Sequence, residues 1–422
     1  MSNALTNSAR ESNQRKEKIV NFLIDEPKTV YNKPDWRYSK AGMHRPGRFR
    51  MKDVELTLFD DIFISPELNC LETVGFYHKK LMATYGIDYE KVRCQINGEN
   101  LKGESVKATF AGGEIGAIQL KFYHDFSKMK PGKTQDVSIV AGEFKKNFTL
   151  SPPRISPHYY VTLQTMIRSG FIKQKLLAEW IDYYLSCGVE HFYIYDNGIN
   201  EKDMGLLNSY TEVTVVDWDK TSYFWMEYDL NKKEWISIHK NQPAASTHCI
   251  QKYGRGGQSK WMIFVDPDEF LYSPTSSLLD VLKKYENDNT VSALTVHSYL
   301  FAGFPPILTK SIAHDCIVRE KKVHSQIKSI VKPEFVENHK VHGASNIKGK
   351  KTKMLDIDEL RYNHYKHIGK WRYVRKGQLR GPVIDRELSD IVKRNEKRLK
   401  ESSGDAFDFF EGIYCINPTR NR

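Results

Sequence analysis

Asp266 and Asp268 stand two positions apart in Trp261-Met-Ile-Phe-Val-Asp-Pro-Asp-Glu-Phe270, directly after an apolar run. Carboxylates so spaced can coordinate a hard divalent cation, Mn²⁺ or Mg²⁺, and such an ion can bridge both phosphates of a nucleotide diphosphate. Asp and Pro are also ordinary turn residues, and Asp-x-Asp triplets arise by chance. Position favours the metal reading, because here the acids close an apolar strand. Two carboxylates leave an octahedral ion with open positions. A further ligand is expected from His364, in Leu360-Arg-Tyr-Asn-His-Tyr-Lys-His-Ile-Gly-Lys-Trp371, with His342 and His367 as rivals. Lys366 and Lys370, in the same run, could take up negative charge that builds on a departing diphosphate.

The elements around these residues alternate. Tyr159 to Thr165 reads as a buried strand, and Lys175 to Cys187 as a helix with Leu176, Leu177, Trp180, Ile181, Tyr184 and Leu185 on one face. Gly188 is placed to end that helix. Glu190 to Tyr195 reads as the next strand, before the turn Asp196-Asn-Gly198. Strand, amphipathic helix and strand make a βαβ unit with a right-handed crossover. Glu212 to Val216 and Trp261 to Val265 add strands, and Ala244 to Lys252 adds a helix. Ligands of such sheets bind outside the carboxyl ends of the strands, so chemistry is expected just after Thr165, Tyr195 and Val265.

This α/β region is expected over residues 153–380, after the break at Pro152, Pro153 and Pro157. Residues 1–45 read as a polar arm and 46–152 as a β-rich accessory domain. The latter's short strands include Leu56 to Phe59, Lys107 to Phe110, Ala117 to Tyr123 and Asp136 to Val140, with one helix near Leu71 to Tyr85. Residues 381–422 are expected to form a helical tail.

A length of 422 residues suits two or three domains. The formal charge of +12 invites a polyanionic partner. A nucleic-acid module would interleave basic and stacking aromatic residues on one surface, whereas runs such as Ile347 to Lys353 are scattered, so no nucleic-acid partner is expected. The six cysteines show no Cys-x-x-Cys spacing, which suits reduced thiols. No segment approaches the roughly 20 apolar residues that span a bilayer, and the N-terminus lacks a secretory pattern. A cytoplasmic protein with no membrane span is expected.

Leu177 to Tyr184, Gly188 to Asn197, Gln242 with Ala245 and Cys249, Trp261 to Phe270, and Lys328-Ser-Ile-Val-Lys-Pro333 recur in order and spacing in one family. The chain resembles the family-92 glycosyltransferases over about half its length. The resemblance implies a GT-A catalytic domain, a Rossmann-like mixed sheet flanked by helices, behind a smaller β-rich domain. It implies metal-dependent, inverting transfer, often of galactose, from a uridine diphosphate sugar (UDP-sugar) donor to a free, protein-linked or lipid-linked glycan acceptor. Carried onto this chain, Asp266 and Asp268 would be the metal motif. Met166, Arg168 and Asp196 would line the nucleotide pocket, and Gln242 would face the donor. The pattern from His364 to Lys370 is similar to the metal and diphosphate segment of several GT-A enzymes. Two departures stand out: Ser169-Gly170 replaces a commonly acidic or Asn position, and most members carry a membrane anchor. Inversion needs a carboxylate base at in-line reach. Asp315 and Glu320, after the strand region from Val291 to Phe301, are the candidates, with ordinary surface acids as the plainer reading of each. A catalytically inactive glycan-binding relative is the alternative within the same fold.

Overall fold

The computed structural model describes residues 62–78, 91–110, 115–126, 133–141, 144–150, 158–167, 174–196, 198–218, 226–229, 234–237, 242–255, 258–302, 316–365 and 382–388. They divide into two compact units, Met1–Pro152 with Asp217–His248, and Pro153–Val216 with Cys249–Arg422.

The first unit holds two antiparallel sheets of four strands among the described residues. One runs Phe63–Ser65, Cys70–His78, Ile115–Tyr123, Lys102–Phe110, and the other Glu99–Asn100, Arg93–Ile96, Gln135–Ala141, Phe144–Leu150. Alternation buries Cys94, Ile96, Val137 and Ile139 on one face of the second sheet. The helix expected from Leu71 to Tyr85 is instead a strand over Cys70–His78, and residues 79–90 lie outside those described. Its Thr73-Val74 pair favours extended backbone, and buried Glu72 is satisfied across strands by Ser65 and Gln119. The expected strand from Leu56 to Phe59 lies outside the described residues.

The second unit contains strands β1 (Tyr159–Ile167), β2 (His191–Asp196), β3 (Val213–Val216), β4 (Ser259–Phe264), β5 (Glu269–Tyr272), β6 (Val291–Ala302), β7 (Val318–Glu320), β8 (His324–Val331), β9 (Val336–Lys340), β10 (Gly343–Asn346), β11 (Lys351–Met354), β12 (Arg361–His364) and β13 (Pro382–Ile384). Its helices are α1 (Gln174–Ser186), α2 (Glu201–Leu207) and α3 (Leu278–Glu286). Eleven of the described strands form one mixed sheet, in the order β3-β2-β1-β4-β8-β6-β7-β13, with β11 and β12 on β6 and β5 on β12. The first four run parallel, and β4 to β8 begins the antiparallel part.

Helix α1 forms because its apolar residues recur at helical spacing. Leu176, Leu177, Trp180, Ile181 and Tyr184 are all buried. At about 1.5–3 kcal/mol for each large side chain, this face contributes on the order of 10 kcal/mol before chain entropy is subtracted. The helix stops at Gly188, whose φ of +92° is open to glycine, and a Cβ there would lie 2.6 Å from Leu279. Helix α3 starts at a capping box, Ser277 with Asp280. It ends against Lys332, whose Nζ donates to the carbonyls of Tyr285, Glu286 and Asp288 at 2.8–2.9 Å.

Candidate active site

The chain builds β1, places β2 and β3 on one side, then crosses back to lay β4 on the other side of β1. Between β1 and β4 the strand order reverses, and in such sheets the crevice at that point, outside the carboxyl ends, is where ligands bind. Phe264 pairs with Gln164, so Met166 and Ile167 run on beside the turn that follows β4. Asp266 and Asp268 lie in that turn.

The turn is closed from within. The Glu269 amide donates to the Asp266 carbonyl at 3.0 Å, and the Asp266 amide donates to Glu269 Oε2 at 2.8 Å. Helix α1 then holds it: Trp180 Nε1 and the Tyr184 hydroxyl donate to the Glu269 carbonyl at 3.1 and 2.9 Å, and the Leu271 amide donates to the Tyr184 oxygen at 3.0 Å. Trp180 and Tyr184 sit four apart on one helical face, so one docking event fixes both donors.

His364 arrives on β12, where Glu269 pairs with His364 in antiparallel register. The Tyr365 amide donates to the Asp268 carbonyl at 2.8 Å. The imidazole lies between two acids, with Nε2 3.6 Å from Asp268 Oδ2 and Nδ1 3.8 Å from Glu269 Oε1. Ligand atoms each about 2.1 Å from one octahedral ion stand roughly 3–4 Å apart, so the Asp268–His364 spacing suits a shared cation. Buried His364 Nδ1 makes no hydrogen bond, and two carboxylates with an imidazole are a donor set for Mn²⁺ or Mg²⁺. Among the described residues no three His, Cys, Asp or Glu side chains are grouped closely enough to hold one metal ion by themselves; a lysine shares the cluster. Lys328, on β8, donates to Asp266 Oδ2 at 2.7 Å and pairs with Glu269 Oε2 at 2.9 Å.

Charge and burial grade across the site. The side chains of Glu269 and Lys328 are 2% and 5% exposed, those of Asp268 and Asp266 13% and 31%, so the outer edge belongs to the two aspartates. Burial pushes the Glu269 carboxyl up to about 7, with Asp266 and Asp268 adding to the rise and Lys328 and His364 opposing it. For Asp266, burial works upward too, but the Lys328 ammonium prevails and holds the carboxyl below its ordinary value. Burial disfavours the charged form of His364, yet the neighbouring Asp268 and Glu269 carboxylates raise it above the ordinary imidazole value.

The rival His342 sits in the turn between β9 and β10, bonded to the Ile327 carbonyl and near enough to Asp266 and His364 to feel their charges. Burial, with help from Lys328, holds it below the usual value. Met166 is buried at the carboxyl end of β1. Asp196 closes β2, with Oδ1 accepting from the Gly198 and Ile199 amides at 2.8 and 2.7 Å. Gln242 opens the helix Gln242–Cys249 and belongs to the first unit. Glu320 lies half-buried on β7, opposite Pro382. Arg168, Asp315, Lys366, His367 and Lys370 lie outside the described residues. Sequence reasoning missed Lys328 and Glu269 as members of the cluster. Glu269 was visible beside the aspartates, while Lys328 was marked only as the first residue of the Lys328-Ser-Ile-Val-Lys-Pro333 segment that carries the resemblance.

Among the described residues no helix is long and apolar enough to cross a membrane. A family model described as glycosyltransferase family 92 matches residues 169–403. A glycosyltransferase family 92 protein of Ricinus communis is 28% identical over 212 residues, covering 48% of this chain and 34% of that protein. Another from Arabidopsis thaliana is 25% identical over 303 residues, 65% of this chain and 49% of the relative. A galactan beta-1,4-galactosyltransferase of Arabidopsis thaliana, GALS3, is 26% identical over 46% of this chain and 39% of its own length. The chain thus spans between about a third and a half of the curated relatives it matches. With more than half of its 422 residues under the family match, and the Asp266 turn, Lys328 and His364 all inside it, the chain belongs to glycosyltransferase family 92.

Proposed function

We propose that this chain is a metal-dependent hexosyltransferase of the GT-A type, moving galactose or a related hexose from a UDP-sugar to a glycan hydroxyl with inversion. The observation that carries the reading is the seat of His364 beside Asp268, in the same turn as Asp266, at the carboxyl edge where the strand order reverses. The family, and relatives named as galactan beta-1,4-galactosyltransferases, support the sugar class.

Asp266, Asp268 and His364 would hold Mn²⁺ or Mg²⁺, which supplies positive charge to the leaving diphosphate. Lys366 and Lys370 would add to that charge, and Met166, Arg168 and Asp196 would contact the donor. The bond from the anomeric carbon to the diphosphate oxygen breaks while the acceptor oxygen bonds the opposite face. The acceptor proton passes to a carboxylate, Asp315 or Glu320. Trp180 and Tyr184 keep the aspartate turn in place throughout, so no reorganisation is needed when charge develops.

The test is a panel of nucleotide sugars offered with glycan acceptors, in Mn²⁺ and in chelator. Transfer from one UDP-hexose, lost in chelator, is expected. Undiminished transfer in chelator would overturn the metal role. Full activity in both Asp315→Asn and Glu320→Gln would remove both bases.

A further inference from the structure

The aspartate turn presents three carboxylates within four residues, Asp266, Asp268 and Glu269, and the fold answers them with one lysine. Lys328 reaches the cluster because β8 lies antiparallel against β4, with Ser329 opposite Phe264, so the preceding residue of β8, Lys328, comes level with the end of β4. Two pairings distinguish it from an ordinary buried ion pair. It holds Glu269, the deepest acid, which would otherwise be a buried charge costing several kcal/mol. It also holds Asp266, the most exposed acid of the three and a ligand in the reading proposed above.

We infer that Lys328 is the built-in counter-ion of the carboxylate turn, and that its charge weakens the turn's hold on a free divalent cation while strengthening its hold on a cation that arrives with a diphosphate. This deepens the metal-dependent reading and rests on it. With Glu269 ionised and His364 neutral, the states in which both can face a cation, three carboxylates and one ammonium leave two negative charges at the turn. A free divalent ion entering there is drawn by the acids and repelled by the lysine. A diphosphate brings negative charge, to which the same ammonium is attractive. Loss of a unit charge within about 5 Å of the ion changes its affinity on the order of ten- to hundredfold. Lys328 thus discriminates between a bare cation and a cation–diphosphate pair. A lysine serving only the fold would shift both affinities the same way, or neither.

The experiment titrates Mn²⁺ alone into the full chain by calorimetry, then uridine diphosphate at saturating Mn²⁺, for the wild type, Lys328→Met, Lys328→Gln and Lys328→Arg. Both neutral variants should bind Mn²⁺ at least tenfold more tightly than the wild type, and uridine diphosphate more weakly. Lys328→Arg, which keeps the charge, should resemble the wild type. The double variant Lys328→Met/Glu269→Gln, compared at a pH above the Glu269 value so that one charge of each sign is removed, should return Mn²⁺ affinity to the wild-type level. Neutral variants that fold only when Mn²⁺ is present would also support the assignment. Unchanged or weaker Mn²⁺ binding in the neutral variants would overturn it, as would failure of both to fold with and without Mn²⁺. A wild type that binds neither Mn²⁺ nor uridine diphosphate would sink the metal-dependent reading itself, an outcome separate from any behaviour of the variants.

Discussion

Among the described residues of the second unit, two charge clusters with buried centres are built to opposite plans. Around Asp385, Arg319 Nε and Arg361 Nη2 share one carboxylate oxygen at 2.6 and 3.3 Å, Arg361 also reaches Glu387 at 2.7 Å, and both guanidiniums lie near the Tyr299 ring. Two positive charges there meet two negative ones. At the aspartate turn three acids face one lysine and one imidazole, and the surplus sits at the exposed edge. A charge cluster completed by the chain's own residues serves the fold, since each member leaves another unpaired if it is lost. A cluster left short of positive charge suits a ligand.

The sharpest way to break this contrast is to remove one acid from each cluster. Asp268→Ala should cost at least about a hundredfold in transfer, while its melting temperature stays level or rises because excess negative charge is relieved. Loss of folding with retained specific activity would reverse the roles assigned to the clusters. Asp385→Ala should do the opposite, destabilising by about 3–5 kcal/mol as two guanidiniums lose their shared partner. Chemical denaturation would read this, and Mn²⁺ affinity should stay as in the wild type.

A subtler separation comes from pH. In the unfolded chain Glu269 titrates near 4.5, and in the folded protein near 7. Below 4.5 both states hold the proton. Between 4.5 and 7 the unfolded chain releases it first, so stability falls as pH rises. His364, raised in the fold, contributes stability that is likewise lost as pH rises through its folded value. Denaturation in chelator from pH 4.5 to 7 should show a decline that Glu269→Gln flattens and Asp385→Ala leaves unchanged. The smallest effect is expected from Tyr184→Phe, which removes the hydroxyl bonded to Glu269 and Leu271. It should cost about 1–2 kcal/mol and lower Mn²⁺ affinity with it, because the turn loses one of its supports. A stability loss with Mn²⁺ binding intact would show that the helix does not position the acids.

What could be read without coordinates was local. Asp266 and Asp268 announce themselves because acids and apolar strand are contiguous, and α1 does so because its apolar residues repeat at helical spacing and end at Gly188. His364 could be named from its neighbours, but its seat beside Asp268 depends on β5 pairing with β12, a long-range register that no local pattern carries. Lys328 was hidden for the same reason, since the antiparallel pairing of β8 with β4 gives it its role. The strand Cys70–His78 was misread because its residues from Cys70 to Gly75 are not arranged with one apolar and one polar face. Glu72 and Thr73 are as buried as Leu71, so neither period is displayed.

The hydrogen bonds from Trp180 and Tyr184 to the backbone of Glu269 tie the βαβ unit to the strand pair that bears the acids. The same helix that covers the sheet also acts as a jig for the turn. A nascent chain can therefore assemble β1, α1 and β2 from neighbouring sequence, but the cation seat proposed above is complete only when β12 docks and delivers the imidazole. On that reading ligand competence requires the last strands, so a ligand that occupies the seat would report their arrival rather than the formation of the first.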